Sequence, residues 1–170
     1  MALTSPISLS SATYEDLLSQ LRQSYPNVCV LFIDQINNTK LTNNYVNFND
    51  NHLDLREQSG WHGTRYENIV KIIENGFDPG ANKRSAFGKG TYLAKNASYS
   101  KDYAPDDETE VSYLLYCKFA YKALVQGYST KAIDPINAAC DQVHDPTIYV
   151  VPSAHAVLPL YLVAFYKNAK

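Results

Sequence analysis

The stretch Phe87-Gly88-Lys89-Gly90-Thr91-Tyr92-Leu93-Ala94 constrains this chain more than any other. Two glycines bracket a lysine and lead directly into a short apolar strand. Glycine serves where backbone turns at positive φ or lies flat against another surface. After Ala94 the polarity changes, and Ser100 and Tyr103 follow three residues apart, a spacing that puts two side chains on one helix face. Tyr92, Ser100 and Tyr103 can therefore meet one small, flat, polar molecule. Taken alone, the same residues read first as a hairpin followed by a capped surface helix, with its tyrosines half-buried in packing. The rest of the chain has to decide.

With 170 residues, 45% apolar and 19% charged, the chain is expected to form a single domain with a substantial core. A net charge of -2 and no polybasic run argue against electrostatic capture of nucleic acid or of an anionic membrane. Cys29, Cys117 and Cys140 lie far apart, with no C-x-x-C, so they read as buried free thiols in a reducing compartment rather than as metal ligands. The start has neither a basic region nor a long apolar core, and no apolar run is long enough to span a bilayer. An intracellular protein is expected, cytoplasmic or nuclear. Fourteen tyrosines suit either a β-rich domain or a site lined with ring faces.

Read in order, residues 1–12 form a flexible arm and residues 13–170 one mixed domain. Thr13 caps a helix through about residue 24, in which Tyr14, Leu17, Leu18 and Leu21 recur at helical spacing. Residues 28–33 are a β-branched and aromatic strand, and a short helix is predicted at 40–45. The polar segment 47–60 shows no convincing period. Trp61-His62-Gly63-Thr64 closes an extended segment, and residues 66–75 form an amphipathic helix on Ile69, Ile72 and Ile73, stopped by Gly76. A loop at 78–86 leads into the glycine stretch. Strands follow at 111–120 and 123–128, then an irregular connection at 129–146, then strands at 147–151 and 160–166.

A lone histidine before glycine is an unspecific signal. The ordered combination is specific: Trp61-His62-Gly63-Thr64, the amphipathic helix, the 87–94 stretch, then Ser100 and Tyr103. Ile36-Asn37-Asn38 with Leu41 and Tyr45 precede it, and Pro146-Thr147-Ile148-Tyr149-Val150-Val151 with Leu158-Pro159 close it. This order resembles the catalytic domain of the poly(ADP-ribose) polymerase family over nearly the whole chain. The resemblance implies an α+β fold, an ADP-ribosyltransferase-like split mixed β-sheet with flanking helices in a single domain, and NAD+ as the ADP-ribose donor.

The resemblance also implies roles. His62 hydrogen-bonds a ribose hydroxyl, the Gly63 backbone grips the nicotinamide carboxamide, and Ser100 adds a hydroxyl to the same amide. Tyr103 stacks on the pyridinium, since a flat cation favours an aromatic face, and Tyr92 walls the pocket behind it. Thr64 and Ala94 join the donor-binding set. The 78–86 loop lies over the adenosine half, with Lys83 and Arg84 toward the phosphates. The family's signature glutamate is replaced by Ile148, and no glutamate follows Glu110. Only Asp134, Asp141 and Asp145 are acidic there, and Asp145, just before the strand, reaches at most its mouth. Chain growth is then not expected. The implied activity is mono-ADP-ribosylation of a protein acceptor by a monomer, with positioning supplying most of the help. Two alternatives stay open. One is an inactive NAD+ or ADP-ribose-binding module. The other is an NAD+-dependent ADP-ribosyltransferase or 2′-phosphotransferase acting on nucleic acid, which the near-neutral charge disfavours.

Overall fold

Strand β5 (Val111–Tyr121) is almost wholly buried, and the sheet is built outward from it. A computed structural model describes residues 2–82, 86–129 and 132–167. On one side β5 pairs antiparallel with β9 (Val157–Tyr166), which in turn pairs with β2 (Cys29–Ile36) and, at the edge, β1 (Thr4–Pro6). On the other side it pairs with β3 (Arg56–Gly63), followed by β4 (Thr91–Ala94), β8 (Ile148–Val151), β7 (Ala138–Cys140) and β6 (Leu124–Gln126). The order is β1-β2-β9-β5-β3-β4-β8-β7-β6, antiparallel except for β6 with β7. This is the expected single α+β domain with a mixed sheet.

Two apolar clusters cover the two faces. Helix α1 (Ala12–Ser24) puts Tyr14, Leu17 and Leu21 against Ile33, Trp61, Leu114 and Phe165. Helix α3 (Tyr66–Asn75) puts Ile69, Ile72 and Ile73 against Phe77, Leu93, Leu115 and Tyr149. Because neighbouring strand residues face opposite ways, Leu93, Tyr149 and Val151 enter the α3-side core, while Tyr92, Ala94, Ile148 and Val150 face the other side. The short helix α4 (Ala97–Ser100) and a 3-10 turn (Lys101–Tyr103) lie there.

Several expected elements differ in detail. The cap of α1 is Ser11, whose side chain accepts the Tyr14 N–H, rather than Thr13. Within the expected arm, Thr4–Pro6 pairs with β2. Helix α2 runs over Thr39–Asp50, longer than predicted. Its cap Asn38 accepts from Leu41 N–H and donates to Ile73 O and Glu74 O, tying α2 to the end of α3. The remaining unperiodic residues at 56–60 belong to β3, and β7 lies inside the expected irregular connection. Cys117 and Cys140 are buried free thiols, but Cys29 is exposed at the start of β2. Among the described residues, no helix is long and apolar enough to cross a membrane.

Candidate functional site

The two edges of β3 are treated differently. Toward β5 the ladder is complete, from Arg56 opposite Tyr121 to Gly63 opposite Leu114. Toward β4, among the described residues, the only pair is Trp61 with Ala94. Past Trp61 the two strands separate, and the candidate site lies in that opening.

His62 is fixed there by its neighbour across the gap. Its Nδ1 lies 2.8 Å from the Tyr92 carbonyl oxygen. A carbonyl only accepts, so Nδ1 carries the proton and Nε2 keeps a lone pair for a ligand hydroxyl. Phe77, at the end of α3, packs edge-on against the ring at 5.1 Å. Burial pushes the imidazole pKa below its ordinary value, outweighing the bond to Tyr92. The ring is therefore neutral at neutral pH.

Gly63 is required by close approach. A Cβ on it would sit 1.8 Å from the Ser100 carbonyl oxygen, so α4 packs directly on the bare backbone. In a strand, the N–H and C=O of residues two apart point to the same edge. The Trp61 carbonyl accepts from Ser100 Oγ at 2.9 Å on the α4 side. Gly63 presents its own N–H and C=O to that same edge, where no strand pairs it among the described residues. Such a strip supplies the paired donor and acceptor that a carboxamide needs. Ser100 is buried, and since its proton goes to Trp61, its oxygen meets a ligand as an acceptor.

Tyr92 works through its hydroxyl. It accepts the Phe87 N–H at 3.0 Å and donates to the Gly88 carbonyl at 2.8 Å, holding the glycine stretch against β4. Burial raises its pKa, so the phenol keeps the proton it donates. Tyr103 ends the 3-10 turn, 41% exposed, with its hydroxyl 3.0 Å from that of Tyr99 and the rings 5.3 Å apart. Burial, then the bond to Tyr103, pushes Tyr99 up to about 12. Tyr99 is a residue the sequence reading passed over, although its spacing of four from Tyr103 is the signal for such a pair. Thr64 accepts from Asn68 Nδ2 at 3.0 Å, in the first turn of α3. Ala94 lies in one row with Trp61 and Ile148 across β3, β4 and β8.

Ile148 opens β8, buried and opposite Ala94. The acid that reaches this corner is Asp141, whose Oδ1 accepts from Thr147 N–H at 2.9 Å and Ile148 N–H at 3.1 Å. Burial pushes the Asp141 pKa up, but the Thr147 hydroxyl and the amides of Ile148, Thr147 and Gln142 outweigh it and hold it low. Asp145 is exposed and bonds Lys95 Nζ at 3.0 Å. Lys83 and Arg84 lie outside the described residues. His62, Gly63, Tyr92 and Ser100 are thus directly linked around the opening, with Tyr103, Thr64, Ala94 and Ile148 on adjoining turns and strands.

Comparison of the sequence with known proteins points to one family. The sequence profile described as the poly(ADP-ribose) polymerase catalytic domain matches residues 11–124. Human (Homo sapiens) protein mono-ADP-ribosyltransferase PARP14 is 26% identical over 177 residues, covering 93% of this chain and 10% of that protein. Mouse (Mus musculus) protein mono-ADP-ribosyltransferase PARP12 is 26% identical over 183 residues, 96% of this chain and 25% of that protein. Mouse protein mono-ADP-ribosyltransferase PARP16 is 47% identical over 45 residues, 26% of this chain and 14% of that protein. The chain spans a small part, a quarter or less, of the length of these relatives.

Proposed function

Because the chain belongs to the poly(ADP-ribose) polymerase catalytic-domain family, we propose that it transfers a single ADP-ribose from NAD+ to a protein acceptor, with release of nicotinamide. The observation that carries this reading is the open edge of β3. There a neutral His62 and the Gly63 backbone, which no strand pairs toward β4 among the described residues, face one gap, with Ser100 Oγ beside them. Their chemistry fits the donor: an imidazole acceptor for a ribose hydroxyl, a backbone pair for a carboxamide, and an oxygen acceptor for the amide N–H. The Tyr103 ring covers the cationic pyridinium, Tyr92 closes the back, and Thr64 and Ala94 complete the lining.

NAD+ supplies, when bound, a glycosidic bond whose cleavage releases neutral nicotinamide and develops cationic character on the ribose. The chain's residues orient that ribose and exclude water from it. Ile148 brings no charge or hydrogen bond to the acceptor, which favours one transfer over chain growth. The attacking oxygen then comes from an acidic acceptor side chain that needs no general base. Relatives named mono-ADP-ribosyltransferases support the same reading. An intracellular setting is part of this proposal.

The test is incubation with labelled NAD+, alone and with cell lysate, beside His62→Ala. A discrete labelled band that the variant reduces about 100-fold or more is expected. A ladder of growing size would remove the argument from Ile148. Absence of label, with thermal stabilisation by nicotinamide, would make the chain a binding module.

A further inference from the structure

We propose that Ser24 and Tyr25, the last residue of α1 and its C-cap, are positioning residues for Ser100 and so for the nicotinamide end of the donor site, a reading that rests on the site proposed above and extends it to α1. Helix α4 is a single turn of four residues, Ala97–Ser100. One turn does not sustain itself, because fixing its backbone costs more than its first hydrogen bond returns, so its placement comes from what it packs against. Ala97 is wholly buried in the cluster that holds Tyr14, Leu17 and Leu21 of α1. Beside that apolar seat, the end of α1 makes two further contacts with the turn. Ser24 Oγ accepts the Ser98 N–H at 3.2 Å. The Lys101 ammonium lies over the Tyr25 ring, 5.5 Å from its centroid, within the range at which an aromatic face attracts a cation.

These two contacts flank Ser100 in the chain, at Ser98 before it and at Lys101 directly after it. Ser100 itself meets β3: its Oγ donates to Trp61 O at 2.9 Å, and a Cβ at Gly63 would come within 1.8 Å of its carbonyl oxygen. The turn is thus held to β3 through Ser100 and to the end of α1 through its neighbours. That end is well fixed. Pro26 disfavours helical backbone at the residue before it, and Tyr25 takes a φ of -140° while still donating its N–H to Leu21 O at 2.9 Å. The Tyr25 ring packs edge-on against buried Phe165 at 6.0 Å, and its hydroxyl donates to the Lys167 carbonyl, so the seat is tied to β9. Lys101 also bonds Asp102 at 2.8 Å, at the start of the 3-10 turn that ends at Tyr103. The Ser100 oxygen serves a carboxamide N–H only at hydrogen-bond distance, and a displacement of about 1 Å would forfeit it. Ser24 and Tyr25 therefore act on the ligand through Ser100, without touching it.

The test is nicotinamide titration of the wild type, Ser24→Thr and Ser24→Val, each confirmed to unfold cooperatively. Threonine and valine add the same bulk, and of the two only threonine keeps an oxygen for the Ser98 N–H. Ser24→Val is expected to bind nicotinamide about threefold or more weakly than Ser24→Thr, and Ser24→Val with Lys101→Met about tenfold or more weakly. With Ser100→Ala in both chains, the difference between the threonine and valine variants should shrink to less than about 1.5-fold, because the coupled residue is gone. Equal binding by Ser24→Thr and Ser24→Val overturns this inference alone. So does a full difference that persists with Ser100→Ala, since a general loosening of the fold acts with or without that hydroxyl. Where Ser100→Ala binds too weakly to titrate, Lys101→Met decides: a loss of about threefold is expected from the missing ammonium, and unchanged affinity overturns the seat. A wild-type chain that binds no nicotinamide overturns the donor-site reading and this inference with it.

Discussion

The two edges of β3 carry the same residues and do different work. On the β5 edge every position from Arg56 to Gly63 has a partner, and Leu115, opposite His62, is wholly buried. On the β4 edge one pair closes the sheet at Trp61, and beyond it a side chain, His62, spans the gap to the Tyr92 carbonyl. A full ladder satisfies backbone groups and leaves none for a ligand. An interrupted ladder exposes them where a ligand can use them, provided something else holds the strands. Here that is the His62 bond and the packing of Ser100 on Gly63.

The comparison breaks most visibly on the complete edge. Leu115→Ala leaves a cavity beneath His62 in the α3-side core and is expected to cost about 2–5 kcal/mol of stability. Chemical denaturation measures it. Because Leu115 pairs on the β5 edge, the folded fraction is expected to keep the proposed nicotinamide binding. An affinity loss larger than the stability loss would mean the edges are not separable. Gly63→Ala is the converse. Its methyl would meet the Ser100 carbonyl, an overpacking of about 1–3 kcal/mol or more. The expected result is abolished nicotinamide binding in protein that still unfolds cooperatively. Retained binding would show that α4 can lift off β3 without consequence.

The same division explains what the sequence made legible. Helix α3 was readable to its boundaries because its three isoleucines repeat at helical spacing and Gly76 ends it. Strand β3 was not, because Arg56, Glu57, Gln58 and Ser59 are exposed and hold their place by backbone pairing, which leaves no apolar alternation to read. Strand β7 is three small buried residues, too short for any period. Helix α2 reaches Asp50 on Leu41, Tyr45 and partly buried Phe48, in a segment whose asparagines look like loop. At the site, His62 and Tyr92 were legible as motif residues, while their bond was not, since it joins a side chain to a backbone oxygen thirty residues away.

The smallest expected effect tests the protonation state that the open edge requires. His62 has a folded-state pKa below its ordinary 6.5, chiefly because burial disfavours the imidazolium. Between the folded value and about 6.5, the unfolded chain binds the proton and the folded chain does not. Stability therefore rises with pH through that window. The contribution is complete above about pH 6.5 and is lost as pH falls toward the folded pKa, with a slope of at most about 1.4 kcal/mol per pH unit for one proton. The window is read as a difference between two proteins. Melting temperatures of the wild type and of His62→Gln, followed from pH 8 to pH 5, should diverge below about pH 6.5, with the wild type falling faster. Nicotinamide binding should track the same limb more weakly, because the contacts proposed for it are at Gly63 and Ser100. Parallel melting curves would mean that His62 is as readily protonated in the folded chain as in the unfolded one. The gap beside Tyr92 would then be wet rather than closed, and the Nε2 lone pair would be unavailable to a ribose hydroxyl in mildly acidic solution.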